Sequence, residues 1–135
     1  MRALPLAAAA AADLARAVLR AEGVRSAALS VSFVGRRRIR SLSRAYLGRD
    51  HVTDVLAFEL PGAPGLVVGD VYVAPEVAAA AARRFGVSVR DEVRRLVVHG
   101  VLHVLGYEHP EGAGRTRSAM WERQERLLGR LGGRR

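Results

Sequence analysis

The spacing of apolar positions along the chain marks out its elements. Leu14, Val18 and Leu19 fall on one side of a 3.6-residue period, which predicts a helix over 6–22 stopped by Gly23. Residues 27–34 alternate serine with larger apolar side chains, the period of a strand with one buried face. After Gly35, residues 36–46 predict a helix burying Ile39, Leu42 and Tyr46. Its other face carries Arg36, Arg37, Arg38, Arg40 and Arg44, read equally well as a solvated face or a phosphate-contacting stripe. A polar turn over 47–51 leads into a strand from Thr53 to Leu60. A Pro- and Gly-rich loop, 61–65, separates it from a second strand, Leu66 to Ala74, interrupted by Gly69-Asp70. So short a loop predicts an antiparallel hairpin.

Three helices complete the pattern. Pro75 opens one at its first turn, where a missing N–H does no harm, and Gly86 closes it. Ser88-Val-Arg-Asp91 is a capping-box signature for the next. The last runs over 114–131 and buries Met120, Gln124, Leu127, Leu128 and Leu131, leaving a frayed Gly-Gly-Arg-Arg tail. Without repeats or a linker, residues 1–135 predict one α+β domain. The expected architecture is a single small mixed sheet with about five helices. The penultimate helix, which bears the histidines, is central and buried.

That helix carries the candidate chemistry. His99 and His103 are one turn apart on one face. Gly106 is suited to end the helix in the left-handed C′ conformation, so the chain can turn back and bring His109 towards them. The pattern H-x3-H-x2-G-x2-H supplies three nitrogen ligands and leaves a fourth position for water, as in a catalytic zinc site. Apart from histidine, Leu96 to Leu105 is apolar or glycine, so the helix reads as buried all round. Buried imidazoles need partners, and one metal ion satisfies them together. The bland alternative is that each histidine bonds a nearby carbonyl or carboxylate.

Composition narrows the possibilities. With no cysteine, disulfides and thiolate ligands are excluded, and a metal must be held by histidine and carboxylate. The net charge is +9 and the isoelectric point about 11.5, the electrostatic footprint of a nucleic-acid binder. All 22 basic residues are arginine, which looks like the coding bias of a GC-rich genome. Bias explains arginine for lysine better than it explains 22 basic residues against 13 acidic. The alanine-rich start faintly resembles a secretory signal but runs on into the amphipathic first helix. No stretch reaches membrane-spanning length, and a cytoplasmic protein is expected.

Three imidazoles leave a divalent metal its full charge, able to lower the pKa of water from 15.7 to about 7. The spacing matches the metzincin protease motif in every ligand and in the glycine, with one departure. Gly100 stands where a protease needs its glutamate base, so peptide hydrolysis is disfavoured. Glu108 is read as a partner of an imidazole or a turn residue, and Glu92 as a first-turn residue facing the helix dipole. Asp70 suggests a hydrogen-bonding role near a site, with a bulge as the alternative. RNA phosphodiesters suit a basic surface of this kind, because positive groups stabilise the extra charge of the transition state.

The run His99-Gly-Val-Leu-His103-Val-Leu-Gly-Tyr-Glu-His109 resembles the signature of the bacterial YbeY endoribonucleases, which act in rRNA maturation. Thr53-Asp-Val-Leu-Ala-Phe58, Gly69-Asp70-Val71, Met120 and Glu125 fit the same family, so the resemblance covers nearly the whole chain. It implies a single-strand-specific, metal-dependent endoribonuclease acting in small-subunit rRNA 3′-end processing and ribosome quality control. It implies one zinc per chain, or alternatively nickel, held by His99, His103 and His109 as metal and catalytic residues. It also implies association with the small ribosomal subunit and its proteins. The chain departs from the family pattern at Glu108 for aspartate, Ala57 for serine, Val52 for proline and Leu47 for an arginine thought to act on RNA. Arg49 and Arg44 are the nearby candidates to replace it. The competing reading is a non-catalytic rRNA-binding assembly factor whose metal only stabilises the fold.

Overall fold

The computed structural model describes residues 4–107 and 119–131. In chain order it contains α1 (Ala8–Ala21), β1 (Ala27–Phe33), α2 (Arg36–Leu47), β2 (Val55–Leu60), β3 (Val67–Val73), α3 (Pro75–Phe85), α4 (Val89–Val104) and α5 (Ala119–Leu131). This is the expected α+β arrangement: five helices and one three-stranded mixed sheet among the described residues. The start of the expected final helix, 114–118, lies outside them. Strand order is β1-β3-β2, so β3 is central. β1 runs parallel to β3 and β2 antiparallel to it, as the short loop requires.

The strand period of two separates the sheet's faces. Leu29, Val31 and Phe33 of β1, Val71 and Val73 of β3, and Val55 and Ala57 of β2 pack into the main core with α1, α3, α4 and α5. Leu56, Phe58 and Tyr72 point the other way and meet Ile39 and Leu42 of α2 in a smaller cluster. The helix α4 is central to the main core, packing on α1, α3 and α5 as well as on β2 and β3. Val93, Val97, Val98, Val101 and Leu102 are inaccessible to solvent.

Two glycines set how closely α4 lies on the sheet. A Cβ at Gly100 would stand 2.5 Å from Val71 Cγ1, and one at Gly69 would stand 2.6 Å from Val104 Cγ1 and 2.7 Å from the Phe58 carbonyl oxygen. Gly69 is therefore required by packing and not by a bulge: the β3 register with both neighbours is unbroken.

Local signals at the ends of α4 act as expected. Ser88 Oγ accepts from the Asp91 N–H at 3.0 Å, satisfying one of the donors left over at a helix start. At the other end Gly106 has φ +102°. Its N–H reaches the His103 carbonyl at 3.0 Å, and Tyr107 N–H reaches Leu102 at 3.1 Å, a Schellman closure.

Three expectations are corrected. Tyr46 is not buried but 65% exposed, and Ser43 takes the inward position beside Ile39 and Leu42. α4 is not apolar-packed all round: His99 is half-buried and His103 exposed. Asp70 lies on the α2 side of the sheet, facing away from α4, where its carboxylate accepts from Ser30 Oγ at 2.6 Å.

We expect Gly100→Ala to destabilise the fold by about 1–3 kcal/mol through overpacking against Val71, outweighing the ~1 kcal/mol that alanine gains over glycine in a helix. Urea unfolding checks this, and an unchanged midpoint would contradict the close approach. Ser88→Ala should cost about 1 kcal/mol in the same measurement through loss of the α4 cap.

Candidate functional site

Because Gly100 turns towards β3, His99 and His103 are carried round to the flank of α4. There both line one cleft of about 270 Å³. The cleft follows the outer edge of β2, which among the described residues pairs only with β3. Ser43 and Leu47 of α2 form one wall, and Arg49, His51 and Thr53 of the following loop extend it. Val55, Leu56 and Ala57 of β2 complete the lining. A larger cavity of about 480 Å³ is apolar, lies by Leu4, Phe33 and Pro75, and shares no lining residue with this one.

His99 is held by a chain of polar side chains. Its Nδ1 lies 2.9 Å from Gln124 Oε1 on α5. Gln124 is 2% exposed, and its amide nitrogen donates to Glu125 Oε2 at 3.1 Å. A carboxylate only accepts, so this bond turns the amide oxygen towards His99. Nδ1 must then carry a proton, and in the neutral ring Nε2 is the nitrogen with the lone pair. An imidazole fixed by a hydrogen bond at one nitrogen and basic at the other is the form that binds a divalent metal. Glu125 is in turn bound by Arg95 of α4, which also lies 3.7 Å from Glu92. Desolvation raises the Glu92 carboxyl above its ordinary pKa, opposed by the Arg95 charge and reinforced by Asp54 and Glu125. Glu92 is thus more than a first-turn residue, since it neighbours the Arg95 that anchors this chain.

The loop that walls the cleft is tied down by Asp50. Its Oδ1 accepts from Arg40 Nε at 2.8 Å and from Arg44 Nη2 at 3.1 Å. These hydrogen bonds hold the Asp50 carboxyl down at about 2. The arginine stripe is therefore partly self-neutralised. Arg44 is occupied by Asp50, whereas Arg49 lines the cleft. Leu47 also lines it, so the side chain at the departure from the family pattern faces the cleft.

His99 and His103 are thus brought together, while His109 and Glu108 lie outside the described residues. Among the described residues, no group of three or more histidine or carboxylate side chains is placed to hold a metal. Gln124 was expected only as a buried position, and its contact with His99 was not anticipated. His51, Ser43 and Thr53 were also missed. His51 is the chain's fourth histidine, which is the one signal that singles it out. Ser43 Oγ is buried with no partner among the described residues, an arrangement that costs about 1–3 kcal/mol.

Comparison with known proteins gives the family and the fold. The family model described as Endoribonuclease YbeY matches residues 5–132. An Endoribonuclease YbeY of Anaeromyxobacter sp. (strain Fw109-5) is 42% identical over 121 residues, covering 85% of this chain and 63% of that protein. One of Chlorobaculum tepidum is 36% identical over 120 residues, covering 89% of this chain and 85% of its own. The solution structure of TM1509 from Thermotoga maritima shares the fold, with a TM-score of 0.56 over 92% of this chain and 91% of that one, at 24% identity. The chain belongs to the Endoribonuclease YbeY family.

Proposed function

We propose that the protein is a metal-dependent endoribonuclease that cuts single-stranded RNA during small-subunit rRNA 3′-end maturation and ribosome quality control, in the cytoplasm. The observation that carries this reading is the pair His99 and His103 facing one cleft, with the His99 tautomer set by Gln124. Family membership supplies the substrate class. The net charge of +9 suits a polyanion. Among the described residues, no helix is long and apolar enough to cross a membrane. The non-catalytic alternative is not favoured, because the relatives carry an enzyme's name.

His99 and His103 would hold the metal together with His109, and zinc suits three neutral imidazoles. Bound there, zinc supplies a Lewis-acid charge and acidifies water. The protein's own residues do the rest. Gln124 holds the His99 ring and its proton at Nδ1. Arg49 offers a fixed positive charge to the phosphodiester from the opposite wall, in place of the arginine that Leu47 lacks. His51 adds an imidazole on that same wall, within the cleft that the phosphodiester would enter.

Protein purified without a histidine tag should carry about one zinc per chain and cleave single-stranded RNA. His103→Ala, at an exposed position, should lose both while remaining folded by circular dichroism. Cleavage that survives chelation would sink the metal-dependent reading. Gln124→Met removes the Nδ1 acceptor at similar volume and should weaken zinc binding by about 10–100-fold. Competition with a chromophoric chelator measures it, and wild-type affinity would show that Gln124 only fills space.

A further inference from the structure

Tyr46 stands at the exposed end of α2, 65% accessible to solvent, although its spacing from Ile39 and Leu42 points it at the sheet. Its ring rests against Phe58 of β2, with centroids 5.0 Å apart and planes tilted by 45°. Phe58 is itself set edge-on to Tyr72, centroids 6.3 Å apart. Tyr46 is thus backed by an aromatic row while most of its ring faces water. Its neighbour Leu47 is 48% exposed and lines the cleft, as does Ser43 one turn back. Val52, 37% exposed, belongs to the loop that forms the same wall.

A single exposed aromatic is ordinary on a protein surface. Three further observations set this one apart. It is supported by a second ring and so held in place. It adjoins Leu47, which lines the cleft that contains the histidine pair. The arginines nearest it along the chain are Arg44, paired with Asp50, and Arg49, which lines the cleft itself. Aromatic faces set among positive side chains are the elements from which single-strand nucleic-acid surfaces are built: the cations follow the backbone and the rings take the bases. A protein partner would leave the surrounding charge unexplained.

We propose that Tyr46, backed by Phe58 and bordered by Leu47, is a nucleobase-stacking subsite for the nucleotide next to the phosphodiester in the cleft. The assignment rests on the RNA reading of the cleft and adds to it a residue that distinguishes single strands. A base within a duplex is already stacked on its neighbours and cannot offer its face to the ring, whereas an unpaired base can. The subsite reads the flat face common to all bases, so it selects for strandedness and not for sequence.

The test uses the full chain with its metal and a fluorescein-labelled oligoribonucleotide of about ten residues. The oligonucleotide is 2′-O-methylated to slow cleavage, and it is offered single-stranded and as a duplex. Tyr46→Ala should weaken single-strand binding by about tenfold and leave duplex binding unchanged. Its slope against salt should match wild type, because no charge is removed. Tyr46→Phe and Tyr46→Trp should bind as wild type or tighter, and Tyr46→Leu should behave like the alanine variant. In cleavage assays the loss should fall on KM, with kcat held within about twofold, since the ring lies off the histidine pair. Wild-type affinity in Tyr46→Ala or Tyr46→Leu, with the parent chain binding RNA, would overturn the stacking subsite and leave the RNA reading intact. Failure of the parent chain to bind either oligonucleotide would overturn both.

Discussion

The close seating of α4 on β3 determines everything that follows in this protein. A helix lying on a sheet can rotate about its axis, and each residue of rotation moves a side chain by about 100°. Gly100 removes that freedom. At this position the helix backbone comes down onto Val71, and Gly69 on the strand makes the matching space for Val104. With position 100 turned to the sheet, position 99 and its partner four residues on lie towards the free edge of β2. The cleft therefore follows from a packing contact between residues that have no chemistry of their own.

Packing fixes where the two rings lie, and hydrogen bonding fixes what His99 presents. Its path runs from Arg95 on α4 to Glu125 and Gln124 on α5 and back to His99 on α4. Each step has a definite polarity, because guanidinium only donates and carboxylate only accepts. The amide between carboxylate and imidazole has one orientation that satisfies both. A glutamine buried to 2% exposure would be costly unless both ends were used. Here both are, and α5 acts as a clamp on the ring as well as a cover for the core through Met120 and Leu127. On the other side, Tyr107 donates to Glu22 at 2.8 Å, and Arg123 of α5 binds the same carboxylate. The end of α4, the end of α1 and the start of α5 are thereby joined at one charged point.

Much of this was legible in the chain because helices and strands announce themselves by period. The Ser88 cap and the Gly106 closure were legible because each depends on a residue type at a fixed offset. What could not be read depended on which side of an element meets which neighbour. Asp70 lies in a strand, and strand parity says only that it opposes Gly69 and Val71. That α4 packs on the Gly69 side, leaving Asp70 to Ser30, is a tertiary fact. Tyr46 has the correct helical phase for burial, but among the described residues the sheet ends at β2, and Phe58 is the ring that meets it there. His51 sits in a loop with no periodicity to place it, and loop closure alone brings it to the cleft. Gln124 was recognisable as buried, but its partner is on another helix, 25 residues away in sequence.

The histidine spacing shared with metalloproteases gains a physical limit from the same seating. A glutamate after the first histidine would have to stand at position 100, where even a methyl group meets Val71 at 2.5 Å. Val71 is inaccessible to solvent and β-branched, so it has little room to turn aside. A carboxylate forced in there would be buried among valines, where its ionised form is strongly disfavoured. This chain thus lacks a base at position 100 because its fold uses that position for contact with the sheet. Any proton acceptor or anion-stabilising group from the described part of the chain must come from the opposite wall. That wall is the loop carrying Arg49 and His51, tied back to α2 through the bonds of Arg40 and Arg44 to Asp50. The charged and imidazole side chains of that wall are then on the segment whose sequence departs from the family pattern at Leu47 and Val52, and not on the helix that preserves it.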